Sequence, residues 1–171
     1  LAASQPALVS GALNGQPVLR FDGTNDFLTF PLAPNGLSAM TLVLVAANSA
    51  DRDGNANGVA SAPLFWNETI PWGTVPLSPF QTRVKWRFGT GQSGNLPVWS
   101  RPSSLGAGHS LTIATKNGAN ELLHVNGSLV ASQSGKLTTI QGIRPTGNLG
   151  RGYNDDTFFP GEIAEVLVYT R

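Results

Sequence analysis

The chain has no cysteine, a single methionine and little charge: 11 Lys and Arg stand against 10 Asp and Glu in 171 residues, for a net charge of +1. Without cysteine there is no disulfide framework, no thiolate metal site and no thiol nucleophile. A near-neutral chain with 12% charged residues also lacks the basic field that gathers nucleic acid. No stretch approaches the ~20 apolar residues of a membrane-spanning helix. Helical periodicity is nearly absent. What is present instead is 20 glycines and 12 prolines, the punctuation of a turn-rich β protein. A chain of this length buries roughly 70% of the surface its unfolded form exposes, so one domain needs no staple. Strands recur from end to end, without a linker or internal repeat, and residues 1–171 read as that single domain. The chain opens on Leu1 and closes on Arg171 directly after a strand-like run, which reads as one module of a larger exported protein.

Alternation marks the strands. Val18 to Phe21 forms one, closed by the turn Asp22-Gly23-Thr24-Asn25, and Phe27 to Phe30 the next, stopped by Pro31 and Pro34. Met40 to Ala47 is apolar on both alternating faces, as a strand buried twice would be. Phe80 to Phe88 sets Phe80, Val84, Trp86 and Phe88 against Gln81, Arg83, Lys85 and Arg87. Ser110 to Ala114 gives another strand. Glu121 to Ser132 predicts a hairpin centred on Asn126-Gly127, because a type I′ turn needs positive φ at both central residues. Ile163 to Tyr169 closes the chain as a dense β-branched and aromatic strand. Gly54 to Gly58 and Gly89 to Asn95 read as loops. The fold class is all-β.

Three pieces together resemble laminin-G-like jelly-roll domains. Asn14 to Leu28 looks like the opening strand pair around Phe21-Asp22-Gly23, and Leu122 to Gly127 resembles the family's hairpin with Asn-Gly at its tip. Phe159 to Tyr169 is similar to its closing strand. The resemblance implies a two-sheet antiparallel β-sandwich of the concanavalin A-like kind, with one concave sheet and with the first and last strands side by side. It implies binding of a polysaccharide or oligosaccharide by a carbohydrate-binding module of a secreted or cell-surface protein, beside neighbouring domains. Adhesive, protein-binding domains and polysaccharide-degrading enzymes share the fold, so function must be argued from the site.

Catalysis needs groups that the sequence does not place together. A retaining glycosidase requires two carboxyls about 5–5.5 Å apart, most simply on one face of one strand. Among the ten acids, Asp51 and Asp53 lie in a Gly/Asn loop, and Asp22 and Asp26 straddle a turn. Glu162 and Glu165, three apart, are expected on opposite faces. A lyase would need His, Tyr and a cation or Asn. His109 and His124 read as surface histidines at a strand start and a hairpin tip. No catalytic residue is assigned.

Binding has better candidates. Arg83, Lys85 and Arg87 line one strand face at about 7 Å spacing. They read either as polar contacts to anionic or hydroxyl-rich sugar units or as a solvated face that resists edge pairing. Pyranose rings stack on aromatic faces, and the loop aromatics offered for this are Trp72 beside Pro71 and Gly73, Trp99 between Pro97 and Pro102, and Tyr153 in a polar loop before the closing strand. Trp66 is a weaker candidate. Trp86 alternates with Val84 and Phe88 and belongs in the core. No cofactor is required. A structural calcium has two partial sites: Asp51 to Gly58 sets oxygens at alternating positions but lacks glycine at position six and a closing glutamate. In the closing strand Ala164 stands where the family commonly has an acid. Asn67-Glu68-Thr69 and Asn126-Gly127-Ser128 match the glycosylation sequon, the second being the hairpin turn itself.

Overall fold

Residues 4–49, 62–69, 73–79, 84–90, 98–99 and 107–171 are described by a computed structural model, and strand is their predominant secondary structure. In chain order the strands are β1 (Ala7–Leu13), β2 (Gln16–Asp22), β3 (Leu28–Pro31), β4 (Ala39–Asn48), β5 (Leu64–Glu68), β6 (Gly73–Pro79) and β7 (Val84–Trp86). They continue as β8 (Gly89–Thr90), β9 (Val98–Trp99), β10 (Ser110–Asn117), β11 (Asn120–Val125), β12 (Ser128–Gln133), β13 (Ile143–Leu149) and β14 (Pro160–Thr170). A 3-10 turn, Tyr153–Asp155, precedes the last strand.

The first sheet has the order β1-β2-β14-β4-β10-β11-β12, and the second β3-β13-β5-β6-β7-β9 with β8 on β6. All pairings are antiparallel. The strand read from Val18 to Phe21 lies beside the closing strand, with Phe21 opposite Gly161. Between the layers pack Phe21, Leu42, Leu44, Leu64, Trp66, Val75, Leu77, Trp86, Phe88 and Ile163, all buried. Each such side chain contributes about 1.5–3 kcal/mol relative to exposure. Trp66, a weak sugar-stacking candidate from sequence, is wholly within this core. Its Nε1–H donates to the Leu32 carbonyl at 2.9 Å, and its ring meets Phe30 edge-on at 5.2 Å. Trp86 is in the core as expected.

Local chemistry explains the turns. Asn126 (φ 48°) and Gly127 (φ 83°) both take the left-handed conformation that the hairpin demands. The Asp22 carboxylate accepts from the amides of Thr24 at 2.7 Å and Asn25 at 3.1 Å. Those bonds, led by Thr24, hold its pKa below the ordinary carboxylate value. Strand β4 is not buried twice: Met40, Leu42, Leu44 and Ala46 are buried, whereas Thr41, Val43 and Val45 are only half-buried. Its apolar outer face lies on the surface of the sheet.

One charge pair is sealed inside. Lys116 Nζ donates to the Leu137 carbonyl at 2.5 Å and sits 3.4 Å from Glu121 Oε1, with both side chains 1% exposed or less. Burial pushes the Glu121 carboxyl above its usual value, and Lys116 pulls against that. Lys116→Met is expected to lose about 3–5 kcal/mol of stability by stranding the carboxylate. Lys116→Met with Glu121→Leu should recover most of it in chemical denaturation.

Candidate functional site

Strands β5, β6 and β7 of the second sheet are buried on both faces, and the two faces are chemically different. Along β5, Leu64 and Trp66 join the main core, while Phe65 forms a separate small cluster with Ala62 and Tyr153 on the far side. Along β6, Val75 and Leu77 point inward, which leaves Thr74 and Ser78 on the outer face. On β7 and just beyond it, Val84, Trp86 and Phe88 are core, which leaves Lys85 and Arg87 outward. Over Val84 to Phe88 the alternation read from sequence is correct, while Phe80 to Arg83 lie outside the described residues; the solvated-face reading is not correct for Lys85 and Arg87. Lys85 is 2% and Arg87 6% exposed. Asn67, Thr74, Ser78 and Asn148 are buried with them.

Register carries these groups across the sheet. Asn148 lies opposite Phe65, and Phe65 opposite Pro76. Ser78 lies opposite Lys85, and Lys85 opposite Trp99. Trp99, expected in a loop, is therefore in strand β9, paired in register with Lys85. Trp72 and Arg83 lie outside the described residues, as does the Asp51 to Gly58 segment.

The Arg87 guanidinium donates to Thr74 Oγ1 through Nη2, while its Nε makes no hydrogen bond among the described residues. No carboxylate among them lies within ion-pair distance. Burial pushes its pKa down to about 10, opposed by the more distant Glu68, Tyr153 and Glu121. Ser78 Oγ and Glu68 Oε2 are likewise buried without a hydrogen bond among the described residues. Tyr153 O–H donates to Glu68 Oε1 at 3.5 Å. Burial first, then the neighbouring carboxylate, raises the phenol's pKa, so it stays protonated at neutral pH.

The loop that carries Tyr153 is pinned over this face. Asn67 Nδ2 donates to Asp155 Oδ1 at 2.7 Å and to the Gly152 carbonyl at 3.2 Å, and its Oδ1 accepts from the Asn154 amide at 3.2 Å. Asp155 also pairs with Arg144 at 2.8 Å and Arg151 at 3.3 Å. Arg151 lies 3.9 Å above the Phe27 ring and donates to Asn148 Oδ1 at 3.0 Å. Asn67, a sequon residue from sequence, is thus a buried loop anchor. Sequence reasoning missed it, along with Thr74, Ser78 and Asn148, because strands β5, β6 and β13 were not read as strands. Pro76 and Pro79 in β6 and Pro145 in β13 obscure the pattern.

Two further expectations change. A bulge in β14 sets Glu162 opposite Ala47 and Glu165 opposite Val45, so the two glutamates share a face of the first sheet. His109 is not an ordinary surface residue: its side chain is 15% exposed and its Nε2 sits 3.4 Å from Glu162 Oε2. Among the described residues no group of three or more His, Asp or Glu is arranged to hold a metal ion. No helix there is long and apolar enough to cross a membrane.

Replacing a buried ion pair with apolar side chains of similar volume is often neutral or stabilising by about 1–4 kcal/mol, and a buried cation with no ion-pair partner among the described residues has less attraction to lose. Arg87→Met is accordingly expected to fold and to match or exceed the parent's denaturation midpoint. A loss of several kcal/mol would show that the guanidinium is a structural element instead.

No protein-family model matches the sequence, and no curated protein is significantly similar to it. Solved structures are similar in fold. Domain 4 of an extracellular GH43 arabinanase from Geobacillus stearothermophilus, in complex with arabinotriose, superposes with a TM-score of 0.72 at 13% identity, over 97% of this chain and 75% of that one. Domains LG4-5 of the mouse laminin alpha1 chain give 0.69 at 15% identity, covering 98% of this chain and 44% of that one. This chain thus spans under half of that laminin structure. The CBM40 module of a Ruminococcus gnavus IT-sialidase, bound to alpha2,3 sialyllactose, gives 0.67 at 16% identity and 89% of both chains. The chain has the laminin-G-like, concanavalin-type jelly-roll fold.

Proposed function

We propose that the chain is a non-catalytic carbohydrate-binding module of a secreted multidomain protein, gripping a polysaccharide through the polar outer face of its second sheet. The observation that carries this reading is Arg87. A guanidinium removed from water, bonded to Thr74 and with no carboxylate within ion-pair distance among the described residues, contributes little to folding and much to a ligand rich in oxygen acceptors. Lys85, Ser78, Glu68 and Asn148 extend the same donor and acceptor array. Tyr153 and Trp99, with Trp72 beyond the described residues, are the proposed stacking aromatics, and Arg83 a further cation. Each stacked ring contributes on the order of 1 kcal/mol, so the affinity is modest.

The carboxylates support a non-catalytic role. Asp22 organises a turn, Asp26 accepts from the Asp22 amide, and Asp155 anchors the Tyr153 loop. Glu121 is paired with Lys116, and Glu162 with Arg20. Similar folds in the arabinanase domain and the sialidase module hold arabinotriose and sialyllactose, which is in keeping with a saccharide ligand here.

A second reading, a protein-binding adhesive domain, is favoured by the first sheet's outer face, where Leu167 and Tyr169 are exposed beside half-buried Val43 and Ile113. Affinity electrophoresis through arabinan, laminarin, xylan and alginate gels separates the two. The parent chain is expected to be retarded by at least one of them. Arg87→Met and Tyr153→Ala should each weaken retardation about tenfold with unchanged circular dichroism. Free migration in every gel would favour the adhesive reading. Release of reducing ends or unsaturated uronates would make the chain an enzyme.

A further inference from the structure

On the opposite side of the sandwich, strands β2, β4 and β14 and the residues just before β10 line an open cleft of about 730 Å³. That is within the roughly 300–1,000 Å³ of small-molecule sites. Its polar lining is Arg20, Asp22, Ser49, His109 and Glu162, set against a floor of small residues that includes Ala47 and Gly161. Arg20 and Glu162 face each other in register, and Glu162 lies opposite Ala47.

The Glu162 carboxylate is held from both ends. Arg20 donates to Oε1 through Nε at 2.9 Å and Nη2 at 2.5 Å, while Oε2 faces His109 Nε2 at 3.4 Å. Arg20 is 56% exposed, so this pair adds little to stability. Its effect is to orient the carboxylate. His109 Nε2 is buried and makes no hydrogen bond among the described residues. An imidazole nitrogen and a carboxylate oxygen side by side match one group above others, a hydroxyl, which accepts from an N–H and donates to an oxygen at once. A free anion would meet the Glu162 and Asp22 carboxylates, and a cation would meet Arg20. The small floor leaves room for a flat, uncharged ring above it.

We infer that this cleft is a second saccharide site, selective for a neutral sugar unit whose hydroxyl bridges His109 and Glu162, on the face opposite Arg87. This inference rests on the saccharide reading of the module and adds to it that the chain is divalent, able to link two polysaccharide strands.

Isothermal titration with arabinohexaose, xylohexaose and laminarihexaose tests it. One of these is expected to bind the parent chain at two equivalents. His109→Ala, and Ala107→Trp, which adds bulk to the lining of the cleft, should each reduce this to one. Arg87→Met should remove the other equivalent and leave the His109-dependent one. A parent stoichiometry of one that survives both His109→Ala and Ala107→Trp overturns the second site and leaves the first standing. Two equivalents retained in both variants overturn it equally. One equivalent lost in both variants but kept in Arg87→Met keeps this site and overturns the Arg87 reading. No binding of any hexasaccharide by the parent overturns both.

Discussion

A polar group taken out of water must find a partner or bear the cost of having none, and the second sheet of this sandwich is organised around that constraint. A sheet in a two-layer fold needs only one apolar face. Here the inner face supplies the core through Leu64, Trp66, Val75, Leu77, Val84 and Trp86. Around β5, β6 and β7 the outer face is buried as well, yet it carries Asn67, Thr74, Ser78, Lys85, Arg87 and Asn148. Asn67 and Asn148 are satisfied by the loop around Tyr153. Arg87 is satisfied only in part among the described residues. A fold selected for stability alone would place apolar residues there.

The same loop links scaffold to site. Asp155 is gripped by Asn67, Arg144 and Arg151, which draw on strands β5 and β13 and on the loop itself. Asn154 and Asp155 both adopt positive φ, a conformation that Asn and Asp tolerate better than other side chains. The result places the Tyr153 ring against Phe65 and its hydroxyl toward Glu68. Rigid strands thus hold an aromatic and a hydrogen-bonding array in one place, so little ordering is left to be done on binding.

How much of this was legible in the residues depended on period and punctuation. The closing strand, the Asn126-Gly127 hairpin and the Asp22 turn were readable because their signals are local. The alternation around Trp86 assigned Lys85 and Arg87 to the correct face. It could not say that the face is covered, since burial is decided by residues far away in sequence. Strands β6 and β13 escaped because proline and glycine interrupt them, and β5 because a short strand buried on both faces shows no alternation; with them went the polar row on that face. The shared face of Glu162 and Glu165 depends on a one-residue bulge at Ala164, which shifts every later side chain and leaves no mark in composition. The pairing of His109 with Glu162 joins residues 53 positions apart, beyond the reach of any spacing rule.

The central claim is that a buried arginine on the second sheet exists for a ligand. Arginine side-chain ¹⁵N–¹H spectra of the intact chain address it directly, because the Arg87 Nε–H is shielded from solvent and gives a resolvable, slowly exchanging signal. On addition of a hexasaccharide that binds, that signal should shift in proportion to occupancy and become more protected from exchange. Saturation of the chain with the Arg87 signal unmoved would contradict the account.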